Sequence, residues 1–253
     1  MRRPSADGFQ QTGADVTSVH QPCRLPVVAS EPLSVPLADV DGLRTALDPE
    51  GCPPLPKRFL RHADEQSVVA VRAVQRAIAA IPGIDCSRHG VIAAPCQAGR
   101  IASSQTLSKY ADGGGVTVST HIVPQASLHS LAAAVSVGLG MHGPSLGVGG
   151  GPRALQEGLL TTAALVDTPG VDGWWLVASE LVGEPQLNAD GQAGDATSAR
   201  VEAVALLVSP ASAAAPSPQW WLPVDESLAT PHAPSIVSAV HHLLAAAAAR
   251  EAA

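Results

Sequence analysis

Residues 138–152, GLGMHGPSLGVGGGP, contain three glycine-rich patterns, each of which resembles a sequence used to bind or transform a ligand. Gly138, Gly140 and Gly143 satisfy G-x-G-x-x-G, a turn that lets the backbone approach a pyrophosphate at the N-terminus of a helix. Such a turn follows a strand and opens a helix, whereas here an apolar helix is predicted before the glycines and Pro144 follows them. The order of elements therefore argues against a dinucleotide site.

The second pattern, GPSLG, places Ser145 in G-x-S-x-G, in which a strained strand-to-helix turn presents a nucleophilic serine. Asp225 together with His232 or His241 could complete a catalytic triad in the order serine, acid, histidine. The residues just before Ser145, GMHGP, do not form the hydrophobic strand that this turn requires. A serine hydrolase that uses Ser145 is therefore kept as an alternative hypothesis.

The third pattern, GVGGGP at residues 147–152, lacks the lysine and the Ser/Thr hydroxyl with which a Walker loop holds phosphates and Mg²⁺. The same residues do indicate a change of secondary structure. They predict a strand at residues 145–148, a tight glycine turn, and a helix that begins near Pro152, because proline suits the first turn of a helix.

The composition of the 253-residue chain limits the kinds of partner to consider. Hydrophobic residues make up 46% of the chain and charged residues 15%, and the net charge is −7. Basic residues form no cluster, so the chain lacks the electrostatic surface that binds a phosphate backbone or an anionic membrane. We predict neither a nucleic acid nor a membrane as a partner.

The sequence also gives no sign of export or of a membrane anchor. Two arginines near the N-terminus are not followed by the apolar segment of a secretory signal. The longest apolar runs are shorter than the roughly 20 residues that a helix needs to cross a bilayer. We predict a cytoplasmic protein.

The four cysteines indicate no metal or redox motif. Cys23, Cys52, Cys86 and Cys96 lie far apart, and none of them belongs to a C-x-x-C pair. A zinc ribbon and a thioredoxin-like motif are therefore not supported. We predict reduced thiols, no metal and no cofactor.

The elements that position these residues alternate between helix and strand. Apolar residues recur at helical spacing in some segments, and short continuous apolar runs typical of buried strands occur in others. The predicted helices lie near 64–80, 127–137, 153–168 and 235–253, and the predicted strands at 90–94, 145–148, 174–179 and 201–208. This alternation predicts an α/β layered sheet.

The first of these helices is predicted to be amphipathic. One face is apolar and the other polar, with Val71, Val74 and Ile78 on the first and Arg72, Gln75 and Arg76 on the second.

Composition divides the chain into three predicted parts. Residues 1–54 are rich in proline and polar residues and predict an irregular arm or edge elements. Residues 55–210 contain the alternating helices and strands. Residues 211–253 predict a linker followed by an alanine-rich C-terminal helix.

Two long segments carry a resemblance to a known family. The sequence THIVPQASLHSLAAAVSVGLGMHGPSLGVGGGPRALQEGLLTTAALV, followed by GWWLVASE, resembles the N-terminal half of β-ketoacyl synthases of the thiolase superfamily. Gly140, Gly143, Pro144 and Ser145 match the family's G-L-x-G-P-[NS] element. The segments LPKRFLRHADEQSVVAVRAVQRAI and HGVIAAP are similar to a short, chain-length-factor-like branch found in aryl-polyene and polyketide systems. The resemblance covers residues 55–210, and it implies a ketosynthase N-terminal-like domain with a thiolase-like half-fold, a mixed sheet with helices packed on it.

The chain departs from the family at the nucleophile. The resemblance implies that an active ketosynthase has a cysteine at the position of Pro152, where the helix dipole and backbone amides would stabilise a thiolate. Proline has neither a nucleophile nor an amide hydrogen. The family's second half, which brings two histidines for decarboxylation, does not fit in the short tail after Val208.

The remaining histidines and thiols receive structural predictions. His121, His129 and His142 surround the matched region and could line a cleft, but packing or solvent contact is the favoured role. His241 and its neighbour His242 are adjacent in sequence and so cannot share a helix face. Cys96 follows a strand and no nucleophile turn, and is predicted to be structural.

The resemblance also implies how the chain would assemble. In the family, the strand that corresponds to Ser145, Leu146, Gly147 and Val148 lies at the dimer axis and pairs with its counterpart. The turn that follows it here consists of Gly149, Gly150 and Gly151.

We therefore predict a non-catalytic ketosynthase-like subunit. It would pair with an active ketosynthase or with a second copy, and would shape the acyl pocket or dock an acyl carrier protein. The alternatives are a small homodimeric binding protein of the same fold without acyl chemistry, and the serine hydrolase.

Overall fold

A six-stranded mixed sheet forms the centre of the molecule. The structure is a computed structural model that describes residues 23–120, 122, 124, 127–183, 197–210, 218–224 and 233–251. The strands are β1 (Cys23–Pro36), β2 (Gly90–Pro95), β3 (Ser145–Gly147), β4 (Trp174–Val182), β5 (Arg200–Val208) and β6 (Trp220–Val224). Their order is β3-β2-β4-β5-β1-β6, with β2 parallel to β3 and β4 and the other pairs antiparallel. The predicted α/β class with a mixed sheet is confirmed.

Helices pack on both faces of this sheet. In chain order, the helices whose bounds the structure describes are α1 (Val40–Thr45), α2 (Glu65–Ala79), α3 (Arg100–Gly113), α4 (Ser130–Gly138), α5 (Ala154–Leu165) and α6 (Ile236–Glu251). Of these, α2 and α4 pack on one face of the sheet, and α5 and α6 pack on the other. The predicted helices are confirmed as α2, α4, α5 and α6, with ends that differ by a few residues. Among the described residues, no helix is long and apolar enough to span a bilayer.

The sequence did not predict α3. This helix contains no buried residue, so no apolar stripe marks it in the sequence. It is polar on most sides and lies outside the core.

Alternating side chains along the strands build two separate cores. On β4, Trp175 and Val177 face α2 and α4, whereas Trp174 and Leu176 face α5 and α6. Both indole rings are fully buried. The sheet therefore separates an α2/α4 face from an α5/α6 face, and these two names are used below.

The predicted polar face of α2 is wrong for two of its three residues. Arg76 is exposed, but Arg72 is only 6% exposed and Gln75 is fully buried. Arg72 Nη1 donates to Asp48 Oδ1 at 2.8 Å and to Gln75 Oε1 at 2.7 Å, and Nε and Nη2 donate to the carbonyl of Leu43. The segment after α1 folds over this side of α2, so polar residues at helical spacing here mark an interior network and not a solvated face.

The prediction of an irregular arm over residues 1–54 is wrong for Cys23–Pro36, because these residues form the long strand β1. Prolines conceal the strand in the sequence, since proline removes a ladder hydrogen bond. Residues 23–26 pair with β6, and residues 29–36 pair with β5. Val27, between the two segments, pairs with both strands. Pro26, Pro32 and Pro36 thus each lie where one side of β1 has no partner among the described strands. β1 from the predicted arm and β6 from the predicted tail belong to the same sheet as the other strands.

Candidate functional site

The candidate site is built around β3, which lies at one edge of the sheet. Ser145 is opposite Val91 and Gly147 is opposite Ala93 on β2. The amide of Val148 donates to the carbonyl of Ala93 at 2.8 Å, which continues the pairing past the end of β3. The predicted strand at residues 145–148 is therefore present, and among the described strands its other edge has no partner.

Two glycines with positive φ form the turn after β3. Gly149 has φ 82° and Gly150 has φ 100°, a region that favours glycine. A Cβ on Gly149 would lie 2.7 Å from the Cα of Ala154, so this turn closes against the first residue of α5. The amide of Ala154 donates to the carbonyl of Gly151 at 3.0 Å. The order of strand, tight turn and helix is as predicted.

Pro152 lies in this turn, just before α5 begins at Ala154. Its ring is exposed. Residues 149–154 read GGGPRA, so none of them has a hydroxyl, thiol or imidazole. The turn presents no nucleophile, and the amide hydrogen that a residue other than proline would supply at position 152 is missing.

A buried polar chain fixes the turn to the rest of the molecule. The amide of Gln97 donates to the carbonyl of Gly150 at 3.1 Å. The preceding residue, Cys96, donates its amide to the carbonyl of Ser179, and its own carbonyl accepts from Gln66 Nε2 at 3.0 Å. Ser179 Oγ closes the chain by donating to Gln66 Oε1 at 2.9 Å. The carboxyl ends of β2 and β4 thus hold the turn through the backbone of Cys96 and a side chain of α2.

Helix α5 meets the sheet through one glycine. A Cβ on Gly158 would lie 2.8 Å from both Ala94 Cβ and Leu176 Cδ1, so the helix axis comes unusually close to the strands. The opposite side of α5 is open, and Leu160 on that side is 50% exposed. Within the described residues, α5 is therefore covered mainly on its sheet-facing side.

The structure does not bring together Ser145 and His241, one of the two predicted serine–histidine pairs. Ser145 is opposite Val91, which belongs to the core on the α2/α4 face, and Ser145 Oγ is buried there without a hydrogen-bond partner. His241 is exposed on α6, which packs on the α5/α6 face beside β5 and β6. Asp225 and His232 lie outside the described residues. The sheet separates Ser145 from His241, so this pair cannot act as nucleophile and base.

The G-x-G-x-x-G glycines terminate a helix. The amide of Met141 donates to the carbonyl of Ser136 at 2.8 Å and Gly140 has φ 68°, which is a Schellman cap at the end of α4. A Cβ on Gly143 would overlap the carbonyl oxygen of His89, which accepts from the Gly143 amide at 3.1 Å. The expectation that this pattern binds no dinucleotide agrees with its position after a helix.

The described histidines beside the site are exposed to solvent. His89, a buried histidine elsewhere in the molecule, was not predicted from the sequence to have a role. His129 and His142 are exposed, and His121 lies outside the described residues. His89 is 5% exposed, and its Nδ1 accepts from Trp175 Nε1 at 3.1 Å. Burial lowers the pKa of His89. The imidazole is therefore a neutral acceptor within the core, a role that the sequence pattern HG before a strand does not indicate.

Two of the described thiols, Cys52 and Cys86, form no disulfide bond and are unreactive. Burial raises the pKa of Cys52 to about 11 and that of Cys86 to about 11. A thiol with such a pKa is protonated at neutral pH and is a poor nucleophile. Among the described residues, no group of three His, Cys, Asp or Glu side chains could hold a metal ion.

Two acidic residues in buried strands were not singled out from the sequence. Glu180 follows the apolar run WWLVAS, and Glu202 interrupts the run VEAVALLV. An acidic residue inside a strand buried on both faces was the available signal, because burying a charge without a partner is costly. The structure brings the two residues opposite each other on β4 and β5.

No model of a protein family matches this sequence, and no curated protein matches it either. Solved structures do match. One chain of a ketosynthase in complex with its chain length factor from Xenorhabdus doucetiae shares 19% identity over 74% of this chain and 79% of that chain, with a TM-score of 0.50. A chain of the ishigamide ketosynthase/chain length factor shares 16% identity over 89% of this chain and 82% of that chain, with a TM-score of 0.55.

A β-ketoacyl synthase from Burkholderia phymatum shares 14% identity over 74% of this chain, with a TM-score of 0.51. This chain covers 59% of that enzyme, which is less than two thirds of its length. The three likenesses show that the fold is the thiolase-like fold of ketosynthases, as predicted. The 89% coverage also extends the match beyond residues 55–210, because β1 or the C-terminal elements must take part in it.

Proposed function

We propose that this chain is a non-catalytic ketosynthase-like subunit that works with an active ketosynthase and an acyl carrier protein in fatty-acid or polyketide-type biosynthesis in the cytoplasm. Its role would be that of a chain length factor, which shapes the pocket for the growing acyl chain. The observation that carries the proposal is Pro152 in the exposed turn between β3 and α5, in a chain whose fold is that of ketosynthases.

The chemistry of condensation explains why this position matters. A ketosynthase holds its acyl group as a thioester, so the enzyme needs a thiolate where a helix N-terminus can stabilise the negative charge. The N-terminus of α5 is available, but residues 149–154 offer no nucleophile to it. The backbone of Cys96 positions the turn through the hydrogen bonds described above. An active partner would therefore have to supply the cysteine.

The surface next to the turn supports assembly with a partner. Helix α3 begins three residues after Gln97, whose amide binds the turn, and this 14-residue helix has no buried residue. Leu107 and Tyr110, one turn apart, are 68% and 57% exposed. An isolated helix of this length is marginal in water, so helices of this kind usually depend on packing against another surface. We assign α3 and the open edge of β3 as the surface that contacts the ketosynthase.

Co-expression with a ketosynthase encoded next to this chain tests the proposal. The complex would be purified through a tag on the ketosynthase, and its mass would be measured by light scattering on a sizing column. We expect a stable one-to-one assembly. Separate elution of the two chains would contradict the proposal, and a dimer of this chain alone would then favour the homodimeric binding protein.

A pair of matched variants locates the interface. Leu107→Ser combined with Tyr110→Ser should abolish the one-to-one complex, because both side chains would be buried by the partner. Leu47→Ser is the control, since Leu47 is 95% exposed in the segment after α1. Loss of the complex in the control, or its retention in the double variant, would contradict the assigned surface.

A condensation assay tests the role of the subunit. With the partner's cysteine intact, the complex should elongate acyl groups bound to a carrier protein, whereas this chain alone should not. Acyl transfer by the isolated chain would overturn the non-catalytic assignment. Elongation by the ketosynthase without this chain, with an unchanged product length, would remove the chain-length role.

A further inference from the structure

Glu180 and Glu202 form a directly opposed acidic pair on the α5/α6 face of the sheet. They are partners in the register of β4 and β5, and Ser34 on β1 is the next residue in the same row. Side chains directly opposite each other in an antiparallel pair have Cβ atoms about 5 Å apart. The two carboxyl groups therefore lie within reach of each other.

Glu180 holds the N-terminus of α6. Its Oε1 accepts a hydrogen bond from the amide of Ile236, the first residue of this helix. Ser235 Oγ accepts from the amide of Ser238 at 3.2 Å. Together the two side chains satisfy two of the amides that the start of a helix leaves without partners. Glu180 is thus the link between α6 and the sheet at this end.

Glu202 has an unsatisfied oxygen. The residue is 8% exposed, and its Oε1 accepts from Ser34 Oγ at 3.0 Å. Its Oε2 is buried and has no hydrogen-bond partner. An ionised carboxylate with a buried, unpartnered oxygen next to a second carboxylate is an unstable arrangement, because burial and like charge both penalise it.

The surrounding charged and titratable groups do not compensate the pair. On β5, Arg200 lies two residues from Glu202 on the same face but donates to Ser34 Oγ and to the Ser34 carbonyl, at 3.0 and 3.3 Å. On β2, the thiol of Cys96 lies on the same face at the end of the strand. The titratable groups on the neighbouring helices are Glu157 on α5 and His241, His242, Arg250 and Glu251 on α6. Glu157, His241, His242 and Arg250 are exposed to solvent, and Arg250 and Glu251 lie at the end of α6 opposite Ile236. Among the described ion pairs, neither Glu180 nor Glu202 has a cationic partner.

We propose that Glu180 and Glu202 share one proton in the native state. Glu180 is the protonated member: its hydroxyl donates to Glu202 Oε2 while its carbonyl oxygen accepts from the Ile236 amide. This arrangement gives every side-chain oxygen of Ser34, Glu202 and Glu180 a hydrogen-bond partner, and it links α6 to the sheet. When the proton leaves to solvent, two carboxylates face each other, Glu180 moves away, and the α6 cap loosens.

The direction of the titration follows from the environment of Glu180. Burial raises the pKa of Glu180, the charge of Glu202 raises it further, and the hydrogen bond from Ile236 opposes the change. A carboxyl whose pKa is raised in the folded state contributes stability that is complete below its unfolded pKa and is lost as pH rises through the folded pKa. The hold of the sheet on α6 should therefore weaken with rising pH.

Hydrogen exchange on the full chain tests whether the shared proton stabilises the start of α6. Amide protection in α6, corrected for the intrinsic pH dependence of exchange, should fall by about tenfold for each unit by which the shared proton raises the pKa. In Glu202→Gln the amide can donate to an ionised Glu180, so α6 protection should become independent of pH. Glu157→Gln, an exposed change on α5, should retain the wild-type dependence.

Infrared spectroscopy provides a readout that does not depend on the exchange of α6. The difference spectrum of wild type minus Glu202→Gln should show the carbonyl stretch of a protonated, buried carboxyl group that persists to higher pH than that of an ordinary glutamic acid. The subtraction removes the band of Asp64, whose pKa burial also raises. A pH-independent α6 in the wild type, a pH dependence that persists in Glu202→Gln, or the absence of the carboxyl band would each overturn the proposal.

Discussion

Helices α2 and α5 lie on opposite faces of the same sheet, and they satisfy their polar and apolar groups differently. Almost every residue of α2 is buried, and the buried Arg72 and Gln75 are hydrogen-bonded to each other and to Asp48. On the α5/α6 face, the Nε1 of Trp174 and the Oε2 of Glu202 are buried without a partner. Helix α5 itself is buried only where Gly158 and its neighbours meet the strands.

The two faces differ in how completely their buried polar groups are hydrogen-bonded. Buried polar groups are nearly always hydrogen-bonded in native proteins, and those of the α2 network follow this rule. The hydrogen bond from Arg72 to Asp48 in this network joins two opposite charges. Among the described residues, the α2/α4 face has one buried polar atom without a partner, Ser145 Oγ at the sheet edge, and the α5/α6 face has two, one of them in the acidic pair. One side of α5 is also open. We therefore expect the α2 network to contribute most to the stability of the monomer, and the acidic pair on the α5/α6 face to respond to protons.

The largest effect should come from breaking the α2 network. Arg72→Met removes the donor to the buried Gln75 Oε1, whereas the partly exposed Asp48 keeps its hydrogen bonds from Gln75 and the Leu55 amide. Leaving a buried polar group without a partner costs about 1–3 kcal/mol. Urea unfolding followed by circular dichroism would measure the change in the free energy of unfolding.

Arg76→Met is the matched control for this substitution. Arg76 belongs to the same helix but is exposed, so the change should alter the free energy of unfolding by less than about 0.5 kcal/mol. Equal losses in the two variants would show that the buried network contributes nothing beyond the general effect of removing an arginine from α2.

A smaller effect should follow from filling the contact between α5 and the sheet. In Gly158→Ala the new Cβ would lie 2.8 Å from the Cβ of Ala94, and overpacking of this kind costs roughly 1–3 kcal/mol. The gain of about 1 kcal/mol in helix propensity offsets part of that cost. Thermal and urea unfolding should therefore show a modest net loss of stability.

Gly151→Ala provides the comparison, because a Cβ on Gly151 would meet no atom within 4 Å. We expect this variant to be nearly neutral. If Gly158→Ala proved more stable than the wild type, the open side of α5 would be allowing the helix to move away from the strands, and the contrast with the tightly held α2 would be larger than the static contacts suggest.

Asp48 and the Glu180–Glu202 pair should respond to pH with opposite signs. Burial alone would raise the pKa of Asp48, but hydrogen bonds from Gln75, the Leu55 amide and Arg72 outweigh it and hold that pKa below its ordinary value. A lowered pKa contributes stability above the unfolded pKa and loses it as pH falls through the folded pKa. Asp48 should therefore make the α2 network weaken in acid, whereas the Glu180–Glu202 pair should make α6 weaken as pH rises.

Unfolding curves across the acid range would check this sign. The wild type should lose stability as pH falls below the ordinary range of aspartate, and Asp48→Asn should flatten that loss while lowering stability at neutral pH. An unchanged acid slope in Asp48→Asn would mean that other carboxyl groups account for the acid sensitivity.

Sequence patterns predicted the elements that carry a periodic or continuous apolar signal. Helix α2 and the strands β2, β4 and β5 belong to this group, and the short β3 followed from its position between glycines and before Pro152. Helix α3 has no buried face to leave a pattern, and three prolines interrupt β1. In both cases the sequence pattern is missing for a physical reason. A periodic pattern of apolar residues arises where one face of an element is buried, and neither segment has a regular alternation of apolar and polar residues.

Only those features of the site that depend on neighbouring residues in the sequence could be predicted. The glycine turn and the absence of a nucleophile at residue 152 follow from GVGGGP directly. The opposition of Glu180 and Glu202 depends on the register of two strands, and the burial of Arg72 depends on a segment that folds back from residues 43–48. No local spacing encodes either contact.

The smallest effect on stability should come from Pro152→Cys, which tests whether the α5 N-terminus can still support a thiolate. Pro152 is exposed and precedes α5, so the free energy of unfolding should change by less than about 0.5 kcal/mol. The positive end of the helix dipole should lower the pKa of the new thiol below the ordinary value of about 8.5. The pH dependence of alkylation at residue 152, followed by peptide mass spectrometry, would measure that pKa.

Cys52 and Cys86 serve as internal references in the same experiment, because burial raises the pKa of each to about 11 and should keep their alkylation slow. A thiol at residue 152 that titrates at or above the ordinary value would show that the turn lacks the electrostatic environment of a ketosynthase nucleophile. A low pKa without any condensing activity would instead show that the helix terminus retains this environment, while the remaining catalytic groups have to come from a partner.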